Sequence, residues 1–371
     1  MKKEESEFWT SKQRQSNSIH EISYRACFKA ELPRYFITKY SSENDVIYDP
    51  FSGRGTTGIE ALLLGRNAIF NDINPLSKVI SEARINIIPE KEIAKRIDLI
   101  LSAEKSLKCE LDLSMFFHEQ TLQEILKVKN YLLSKKELDI TDKWIRLLVL
   151  SRLTGHSSGF LSTYTLPPNQ AITPERQIKI NEKYNNIFEY RSLKERCLKK
   201  YKILTNEIGI IEINSLNKVN KNAIFLNKDA EFTNEIAGES VDLIITSPPF
   251  LDVINYKQDN WLRCWFCGID IEKIGISNFK HLEDWNNKME KVLLELKRIL
   301  KKDKYIAFEV GEVRNGKIKL ENEVLKIAEK IGFSEIAILI NKQNFSKTSN
   351  IWGVGNNLKG TNSNRILLIK K

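Results

Sequence analysis

The chain has 371 residues, 42% hydrophobic and 29% charged, which is enough apolar material for a sizeable core. Lys and Arg total 58 against 48 Asp and Glu, so the net charge is +10. Five scattered cysteines are typical of free thiols in a reducing compartment. Because no apolar run reaches membrane-spanning length and the first residues lack a secretion signal, we expect a soluble, cytoplasmic protein.

The first strong local pattern is a strand, a glycine turn and a helix in succession. The apolar run Val46–Asp49 precedes Gly53 and Gly55, and the helical run Ile59–Leu64 follows. Glycines let the backbone approach a ligand closely, and a helix start offers free N–H groups to an anionic group. The spacing is neither the full dinucleotide fingerprint nor a Walker loop, because no Gly-Lys-Ser/Thr follows. This turn is therefore predicted to bind a ligand, and a carboxylate suits it.

A second short strand, Ala68–Asp72, ends in an acid. An acid about 20 residues past such a glycine turn can accept hydrogen bonds from both hydroxyls of a ribose. The two strands together therefore predict a site for a nucleoside-containing ligand.

A long insertion, residues 88–220, follows the second strand and shows helical periodicity through most of its length. It is too long for an ordinary crossover. Its predicted helices are Glu90–Lys108, Phe116–Ser134, Ile140–Leu153 and Pro174–Ile208, the last capped by Thr173. Residues 176–221 carry eleven basic and five acidic side chains, and a polar, Gly-rich loop with aromatic residues spans 155–170.

The strand Val241–Thr246 runs directly into Ser247, Pro248, Pro249 and Phe250. Each proline fixes its φ and lacks a backbone donor, so the turn is rigid and its carbonyl oxygens are free. Ser247 Oγ and the Pro248 carbonyl can accept from the exocyclic amino group of a planar base, on which Phe250 can stack. The alternative is an ordinary strand-to-loop turn, since Pro-Pro also occurs in plain loops.

Seven strand-like runs predict a doubly wound sheet with helices on both faces. They are Val46–Asp49, Ala68–Asp72, Ala223–Asn227, Val241–Thr246, Tyr305–Val310, Ile336–Ile340 and Ile366–Ile369. The last two lie close together and suggest an antiparallel hairpin at one edge, whereas the others are spaced for parallel crossovers. Ligands of such sheets bind at the carboxyl ends of the strands, where the motif residues fall.

Taken together, these motifs resemble those of the DNA amino-methyltransferases, the cytosine-N4 and adenine-N6 family that uses S-adenosylmethionine. The residues that carry the resemblance are Asp-Pro-Phe-x-Gly-x-Gly-Thr-Thr at 49–57 and Ser-Pro-Pro-Phe at 247–250. Residues 227–230 and 20–40 resemble two further segments of the family. The resemblance implies an α/β, Rossmann-like class I methyltransferase fold with a seven-stranded mixed sheet, formed by residues 1–87 and 221–371. The helical insertion 88–220 is then the candidate DNA-recognition region.

The resemblance also implies a role for each motif residue. The cofactor-binding residues would be Asp49, Phe51, Gly53, Gly55, Thr56 and Thr57 at the methionine end, Asp72 at the ribose, and Ile73 and Asp229 at the adenine. The catalytic residues would be Ser247, Pro248, Pro249 and Phe250, with Tyr256 shortly after them. Asp229 could instead be a solvated strand end, and Tyr256 could instead brace a loop. The chemistry requires no metal.

The implied partner is double-stranded DNA, from which the target base is flipped, and a cognate restriction or defence system is a candidate further partner. In the family, serine at the position of Ser247 favours cytosine N4 as the target. The alternatives are adenine-N6 transfer, an RNA amino-methyltransferase, and a catalytically silent nucleic-acid-binding protein that retains the fold. The basic stretch 341–371, which includes Lys342 and Lys347, is predicted to contact phosphate.

Overall fold

A mixed sheet of eight strands lies at the centre of the computed structural model. The model describes residues 2–6, 8, 16–24, 27–104, 106–165, 172–249, 256–275, 279–313, 318–342 and 363–371. The strands of this sheet are β1 (Lys2–Ser6), β2 (Val46–Asp49), β3 (Asn67–Asn71), β4 (Ile224–Leu226), β5 (Val241–Thr246), β6 (Leu300–Val310), β9 (Glu335–Lys342) and β10 (Ser363–Lys370). A separate small hairpin consists of β7 (Glu312–Val313) and β8 (Ile318–Lys319).

The strand order is β4-β3-β2-β5-β6-β10-β9-β1, and β10 alone of these strands runs antiparallel to its neighbours. The predicted α/β fold class is therefore confirmed, with one strand more than the seven predicted. The extra strand β1 pairs with β9, so the predicted hairpin lies one strand in from the edge. Its charged sequence, Lys-Lys-Glu-Glu-Ser, is typical of an edge strand, since charge discourages pairing with another chain.

Helices cover both faces of the sheet. They are α1 (Glu31–Tyr40), α2 (Thr56–Leu63), α3 (Leu76–Glu82), α4 (Glu90–Leu101), α5 (Glu119–Ser134), α6 (Ile140–Arg152), α7 (Pro174–Tyr184), α8 (Leu193–Thr205), α9 (Ile210–Val219), α10 (Tyr256–Cys267), α11 (Leu282–Ile299) and α12 (Leu320–Ile331). Within the described ranges, no helix combines the length and the apolar character needed to cross a membrane.

The alternation of side chains along the strands creates two hydrophobic layers. Leu243 and Ile245 of β5 join the layer that contains α1, α2 and most of the insertion, whereas Ile244 joins the layer under α11 and α12. Successive side chains of a strand point to opposite faces, so a strand buried on both faces is mainly apolar. Val241–Thr246 is buried at every position, and its two polar residues are paired: Asp242 with Lys301, and Thr246 with Asp49.

The predicted insertion helices are correct in place but not always in length. The helix predicted to run from Glu90 to Lys108 ends at Leu101, and His118 caps α5 so that this helix begins at Glu119 rather than Phe116. The single helix predicted for Pro174–Ile208 is wrong, because two helices occupy this range. Asn185 takes the left-handed conformation, with φ of 46°, and ends α7. Ser192 then caps α8 by accepting from Glu195 N, which a continuous helix does not allow.

The insertion packs directly on the sheet rather than forming a lobe with a core of its own. Trp144 of α6 is fully buried in the same hydrophobic layer as Phe36 and Ile59. Its indole N–H donates to the carbonyl of Asn86, just before the insertion, over 2.7 Å. Arg96 of α4 binds Asp142 of α6 at 2.6 Å, which ties two insertion helices together. Folding of the insertion and of the sheet is therefore coupled.

Trp144→Ala tests this coupling. Because the substitution leaves a cavity in the shared layer, we expect the free energy of unfolding to fall by about 3–5 kcal/mol. Denaturant unfolding followed by fluorescence and by circular dichroism should still give one coincident transition. Leu99→Ala is the control, since Leu99 lies on α4 with 67% of its surface exposed, and its effect should stay below about 0.5 kcal/mol. Two separate transitions in the wild-type chain would contradict a shared core.

Candidate cofactor and target-base site

The carboxyl ends of β2, β3, β4 and β5 open into one cavity. The residues that follow these four strands supply most of its lining, and the N-terminal segment and α11 supply the rest. The predicted cofactor residues in the lining are Asp49, Phe51, Gly53, Thr56, Asp72, Ile73 and Asp229. Ser247 and Pro249 of the predicted catalytic turn line the same cavity. Parallel strands bring their carboxyl ends to one edge of the sheet, so residues far apart in sequence meet here.

The glycine turn between β2 and α2 is shaped by close packing. Gly53 and Gly55 both have positive φ, 51° and 77°. A Cβ on Gly55 would lie 2.2 Å from Ser81 Oγ, so this position admits no side chain without movement of α3. Gly55 and Thr57 lie behind the cavity lining, and Thr57 Oγ1 donates to the carbonyl of Ile245 at 3.2 Å. These two predicted binding residues therefore shape the turn from behind.

Asp49 connects the glycine turn to the end of β5, which precedes the predicted catalytic turn. Its Oδ1 accepts from the backbone N–H of Phe51 at 3.1 Å and from Thr246 Oγ1 at 2.7 Å. Burial raises the pKa of Asp49 to about 7. Thr246 immediately precedes Ser247, so Asp49 sets the position of the catalytic turn relative to the cofactor turn.

Asp72 follows β3, and two backbone donors hold its carboxylate. Gly53 N–H donates to Oδ2 and Asn74 N–H donates to Oδ1, both at 2.8 Å. Each oxygen still has a lone pair that can accept from a hydroxyl. Burial raises the pKa of Asp72 to about 6. The carboxylate is thus oriented before any ligand binds, as its predicted ribose contact requires.

Asn71 joins the ends of three strands beneath the cavity. Its Nδ2 donates to the carbonyls of Pro50 and Lys228, each at 3.1 Å, and its Oδ1 accepts from Lys228 N at 3.0 Å. The segments after β2, β3 and β4 therefore keep one fixed spacing.

The adenine end of the predicted site contains Ile73 and Asp229. Asp229 Oδ1 accepts from Glu231 N at 3.1 Å, and Oδ2 lies 2.6 Å from Lys288 Nζ of α11. The Asp229 side chain is 32% exposed and lines the cavity, and its contact with adenine stays a prediction.

The N-terminal segment closes one side of the cavity. Tyr24, Cys27 and Phe28 line it, and Arg54 of the glycine turn holds this segment by donating to the carbonyls of His20, Ile22 and Phe28 at 3.1–3.2 Å. His20 Nε2 lies 2.7 Å from Glu60 Oε1, and burial lowers the pKa of His20. The guanidinium of Arg54 thus links the cofactor turn to the segment that covers it.

The catalytic turn is described through Pro249. Trp285 of α11 is fully buried, and its indole N–H donates to the Pro249 carbonyl at 2.9 Å. The Pro248 carbonyl and Ser247 Oγ are the predicted acceptors for the base. Phe250 lies outside the described residues, as does the side chain of Tyr256, the first residue of α10.

Sequence reasoning did not identify several residues of this site, notably Tyr24, Lys228, Trp285 and Lys288. Tyr24 and Lys228 lie in the segments 20–40 and 227–230 that resemble the family, whereas Trp285 and Lys288 belong to no recognisable motif. Trp285 and Lys288 lie three residues apart, on adjacent turns of α11, and this spacing is ordinary for an amphipathic helix. No sequence signal separates such residues from core and surface positions, so their roles emerge only from their contacts.

The residues present fit S-adenosylmethionine. Three acids line the cavity, Asp49, Asp72 and Asp229, and burial raises the pKa of the first two. A ligand with a sulfonium and an ammonium group compensates buried carboxylates, whereas an anionic nucleotide does not. Asp72 would hold the ribose, Ile73 and Asp229 the adenine, and the turn at Gly53 the methionine end.

Asp72→Ala should weaken S-adenosylmethionine binding by about 1.5–3 kcal/mol, because a charge-assisted acceptor is lost. In the wild-type protein, affinity should also fall as the pH drops from 8 to 5.5. The raised pKa values of Asp49 and Asp72, about 7 and 6, mean that both acids take up protons in this window and lose their charge.

Titration calorimetry across this pH range measures both effects, and thermal melts check that the variant is folded. Glu137→Ala, an exposed acid between α5 and α6, serves as the control and should match the wild type. A pH-independent affinity, or an unchanged affinity in Asp72→Ala, would contradict the assignment of Asp72.

Comparison with known proteins agrees with this geometry. Residues 1–82 match the family model for N6/N4 DNA methylases. The chain is 28% identical over 285 residues to the type II methyltransferase M.BsoBI of Geobacillus stearothermophilus, covering 70% of this chain and 54% of that protein. It is 22% identical over 393 residues to M.MjaII of Methanocaldococcus jannaschii, covering 82% and 74%, and 25% identical over 276 residues to M.MvaI of Kocuria varians, covering 67% and 57%.

The chain thus spans little more than half the length of two of these relatives and three quarters of the third. The two motifs, the cavity and the strand order agree with these similarities, which support the DNA amino-methyltransferase family and its cofactor, S-adenosylmethionine.

Proposed function

We propose that this protein transfers a methyl group from S-adenosylmethionine to the exocyclic amino group of a base flipped out of double-stranded DNA, namely N4 of cytosine. The observation that carries the proposal is that Ser247 and Pro249 line the same cavity as Asp72 and Asp229. An acceptor turn for a base therefore adjoins a site for a nucleoside-containing methyl donor.

The reaction depends mainly on how the protein positions the amino nitrogen relative to the methyl group. An exocyclic amino nitrogen is a poor nucleophile because its lone pair is delocalised into the ring. Ser247 Oγ and the Pro248 carbonyl would each accept a hydrogen bond from one of its two N–H groups, which favours tetrahedral geometry and localises the lone pair. The bound cofactor supplies an electrophilic methyl group on a sulfonium. Holding the two reactants in line is worth about 7–11 kcal/mol in well-oriented systems.

The rigidity of the catalytic turn supports this role. Two prolines restrict its backbone, the Trp285 indole binds one of its carbonyls, and Asp49 binds the residue before it. An acceptor that is already in place loses no free energy to reorganisation during the reaction.

The choice of cytosine rests on Ser247, since serine at this position favours cytosine in the family. Adenine N6 is the alternative target, and an RNA base or a protein that binds without turnover is a weaker alternative. The related proteins are named only as type II methyltransferases, so the identity of the product decides between cytosine and adenine.

The helical insertion supplies a candidate DNA-facing surface. Many of its cations bind the protein itself, because Lys194 pairs with Asp98 at 2.7 Å, Arg196 donates to the Ser158 carbonyl, and Lys200 donates to the Glu21 carbonyl. By contrast, three exposed cations of α7 form no ion pair with any described residue: Arg176, Lys179 and Lys183. Their spacing places them along one side of the helix.

The α7 helix also adjoins the element that follows the catalytic turn. Trp261 of α10 donates to the carbonyl of Ile172, just before α7, at 3.2 Å. We propose that α7 contacts phosphates of the DNA whose flipped base enters the cavity. Residues 343–362, which include Lys347, lie outside the described residues, as does the side chain of Lys342. The phosphate contacts of Lys342 and Lys347 therefore stay a prediction.

The Gly-rich loop at 155–165 is another candidate for reading bases, but its described residues make packing contacts within the insertion. A Cβ on Gly155 would lie 2.4 Å from the Phe160 ring, and the Arg152 guanidinium lies over that ring at 4.7 Å. Residues 166–170 lie outside the described part of the chain. The contacts of Phe160 favour a role in holding the loop to the insertion helices.

Ser247→Ala should lower kcat by about 100-fold while S-adenosylmethionine affinity stays near wild type, because the missing acceptor matters most as the nitrogen becomes tetrahedral. Ser134→Ala, an exposed serine at the end of α5, is the control. Labelled cofactor, genomic DNA and nucleoside mass spectrometry measure rate and product together. The expected product is 4-methylcytosine. Finding only 6-methyladenine would overturn the target base, and cofactor binding without any methylation would favour the silent binding protein.

Neutralising Arg176, Lys179 and Lys183 to Gln should flatten the dependence of DNA affinity on salt, by about 0.9 in log–log slope for each phosphate that α7 no longer binds. The matched control is Lys194→Gln with Lys202→Gln, since these α8 cations pair with acids of α4. Fluorescence anisotropy of a labelled duplex at several salt concentrations measures the slope. An equal change per neutralised cation in both sets would mean that α7 contributes only to the general positive charge.

A further inference from the structure

Lys288 is a cation inside a cavity suited to a cationic ligand. Its Nζ lies 2.6 Å from Asp229 Oδ2 and 3.3 Å from Glu231 Oε1. Only 17% of its side chain is exposed, and the side chain lines the cavity. A lysine so placed repels a sulfonium, so its presence needs a reason other than general attraction of the cofactor.

The contacts of Lys288 fix the carboxylate of Asp229. Oδ1 accepts from Glu231 N–H and Oδ2 accepts from the Lys288 ammonium, so both ends of the carboxylate are held. Each oxygen keeps a further acceptor position for a ligand. Without the ammonium, Asp229 and Glu231 would face each other as like charges, and Asp229 would be free to turn.

The position of Lys288 is itself well determined. It lies one helical turn after Trp285, which is fully buried and binds the Pro249 carbonyl. Helix α11 therefore contacts the catalytic turn through one residue and the acid at the other end of the cavity through the next residue on that face. A rigid helix holds these two contacts at a constant separation.

We propose that Lys288 is a positioning residue that orients Asp229 to accept from the 6-amino group of the cofactor's adenine and thereby selects a 6-amino over a 6-oxo purine. The inference rests on the proposed function, because it requires S-adenosylmethionine in this cavity. A fixed acceptor opposite C6 pairs with an amino hydrogen, whereas it meets a carbonyl oxygen as a second acceptor and repels it. An acceptor that can turn discriminates less.

The charge of Lys288 allows a test that separates positioning of Asp229 from electrostatic repulsion of the cofactor. When the charge is removed, the two effects change S-adenosylmethionine affinity in opposite directions. S-adenosylmethionine carries one positive charge more than S-adenosylhomocysteine. If Lys288 acted only through its field, its removal would strengthen binding of the cationic cofactor and leave the neutral product nearly unchanged. Positioning predicts instead that both ligands weaken together.

The experiment is titration calorimetry of the full chain with S-adenosylmethionine, S-adenosylhomocysteine and S-inosylhomocysteine, in which an oxygen replaces the 6-amino group. We expect Lys288→Met to weaken both adenine ligands by about tenfold, as loss of a fixed charge-assisted bond implies. The preference of the wild type for adenosyl over inosyl should shrink. Lys288→Arg should recover most of this preference, because a guanidinium can also pair with Asp229.

The matched control is Lys291→Met on the same helix. Lys291 is 63% exposed and stands 3.9 Å from Glu231, without the contact to Asp229. The Lys291→Met variant should bind all three ligands with wild-type affinity. Thermal melts should show that each variant is folded.

Three results would overturn the inference. These are wild-type affinities in Lys288→Met, tighter binding of S-adenosylmethionine alone, and weaker binding with the adenosyl preference intact. If the wild type bound neither adenine ligand, the proposed function would be wrong. The inference would then also be wrong, because it requires S-adenosylmethionine in this cavity. Wild-type binding with an unaffected Lys288→Met would remove the inference alone.

Discussion

The hydrogen bond from the backbone N–H of Gly53 to the carboxylate of Asp72 joins the two strand ends on which the site depends. It requires Gly53 in a left-handed conformation, a partly buried acid after β3, and a fixed spacing of β2 and β3. Asn71 extends the connection to the segment after β4, and Asp49 extends it to the end of β5 through Thr246. The cavity is therefore assembled by polar contacts between loops, on top of a sheet whose register sets their distances.

This arrangement has an electrostatic consequence. Asp49 and Asp72 are held by backbone and hydroxyl donors, and burial raises the pKa of both. Hydrogen bonds orient these carboxylates but do not neutralise them, so much of the burial penalty persists until a cation arrives. A sulfonium ligand can bind here without a conformational change of the protein, because the acceptors are already oriented.

Two elements brace the cavity from outside. Arg54 ties the N-terminal segment to the glycine turn, and α11 touches the catalytic turn through Trp285 and Asp229 through Lys288. The insertion adds a third support, since its helices share a hydrophobic layer with α1 and α2 and with α10, which follows the catalytic turn. The insertion that carries the proposed DNA-contacting helix α7 therefore also stabilises the sheet that positions the cavity.

The amino-acid sequence alone was enough to predict the resemblance to DNA amino-methyltransferases, the strand–turn–helix motif around Gly53 and a rigid turn at Ser247. These features depend on short-range rules: glycine for positive φ, proline for a fixed backbone, and a continuous apolar run for a strand buried on both faces. Cap signals likewise placed Thr173 at the start of α7. Only the tertiary structure could show that Gly55 and Thr57 lie behind the cavity, or that Asn185 ends α7 and divides a predicted helix.

The roles of Trp285 and Lys288 could not have been predicted, because their partners lie 36 and 59 residues away in sequence. The strand β1 was missed for a similar reason. Its sequence is polar, and what makes it a strand is the open edge of β9 beside it. Local chemistry decides which residues can bind or bend, whereas the contacts that hold those residues in place come from elements the fold brings together across the chain.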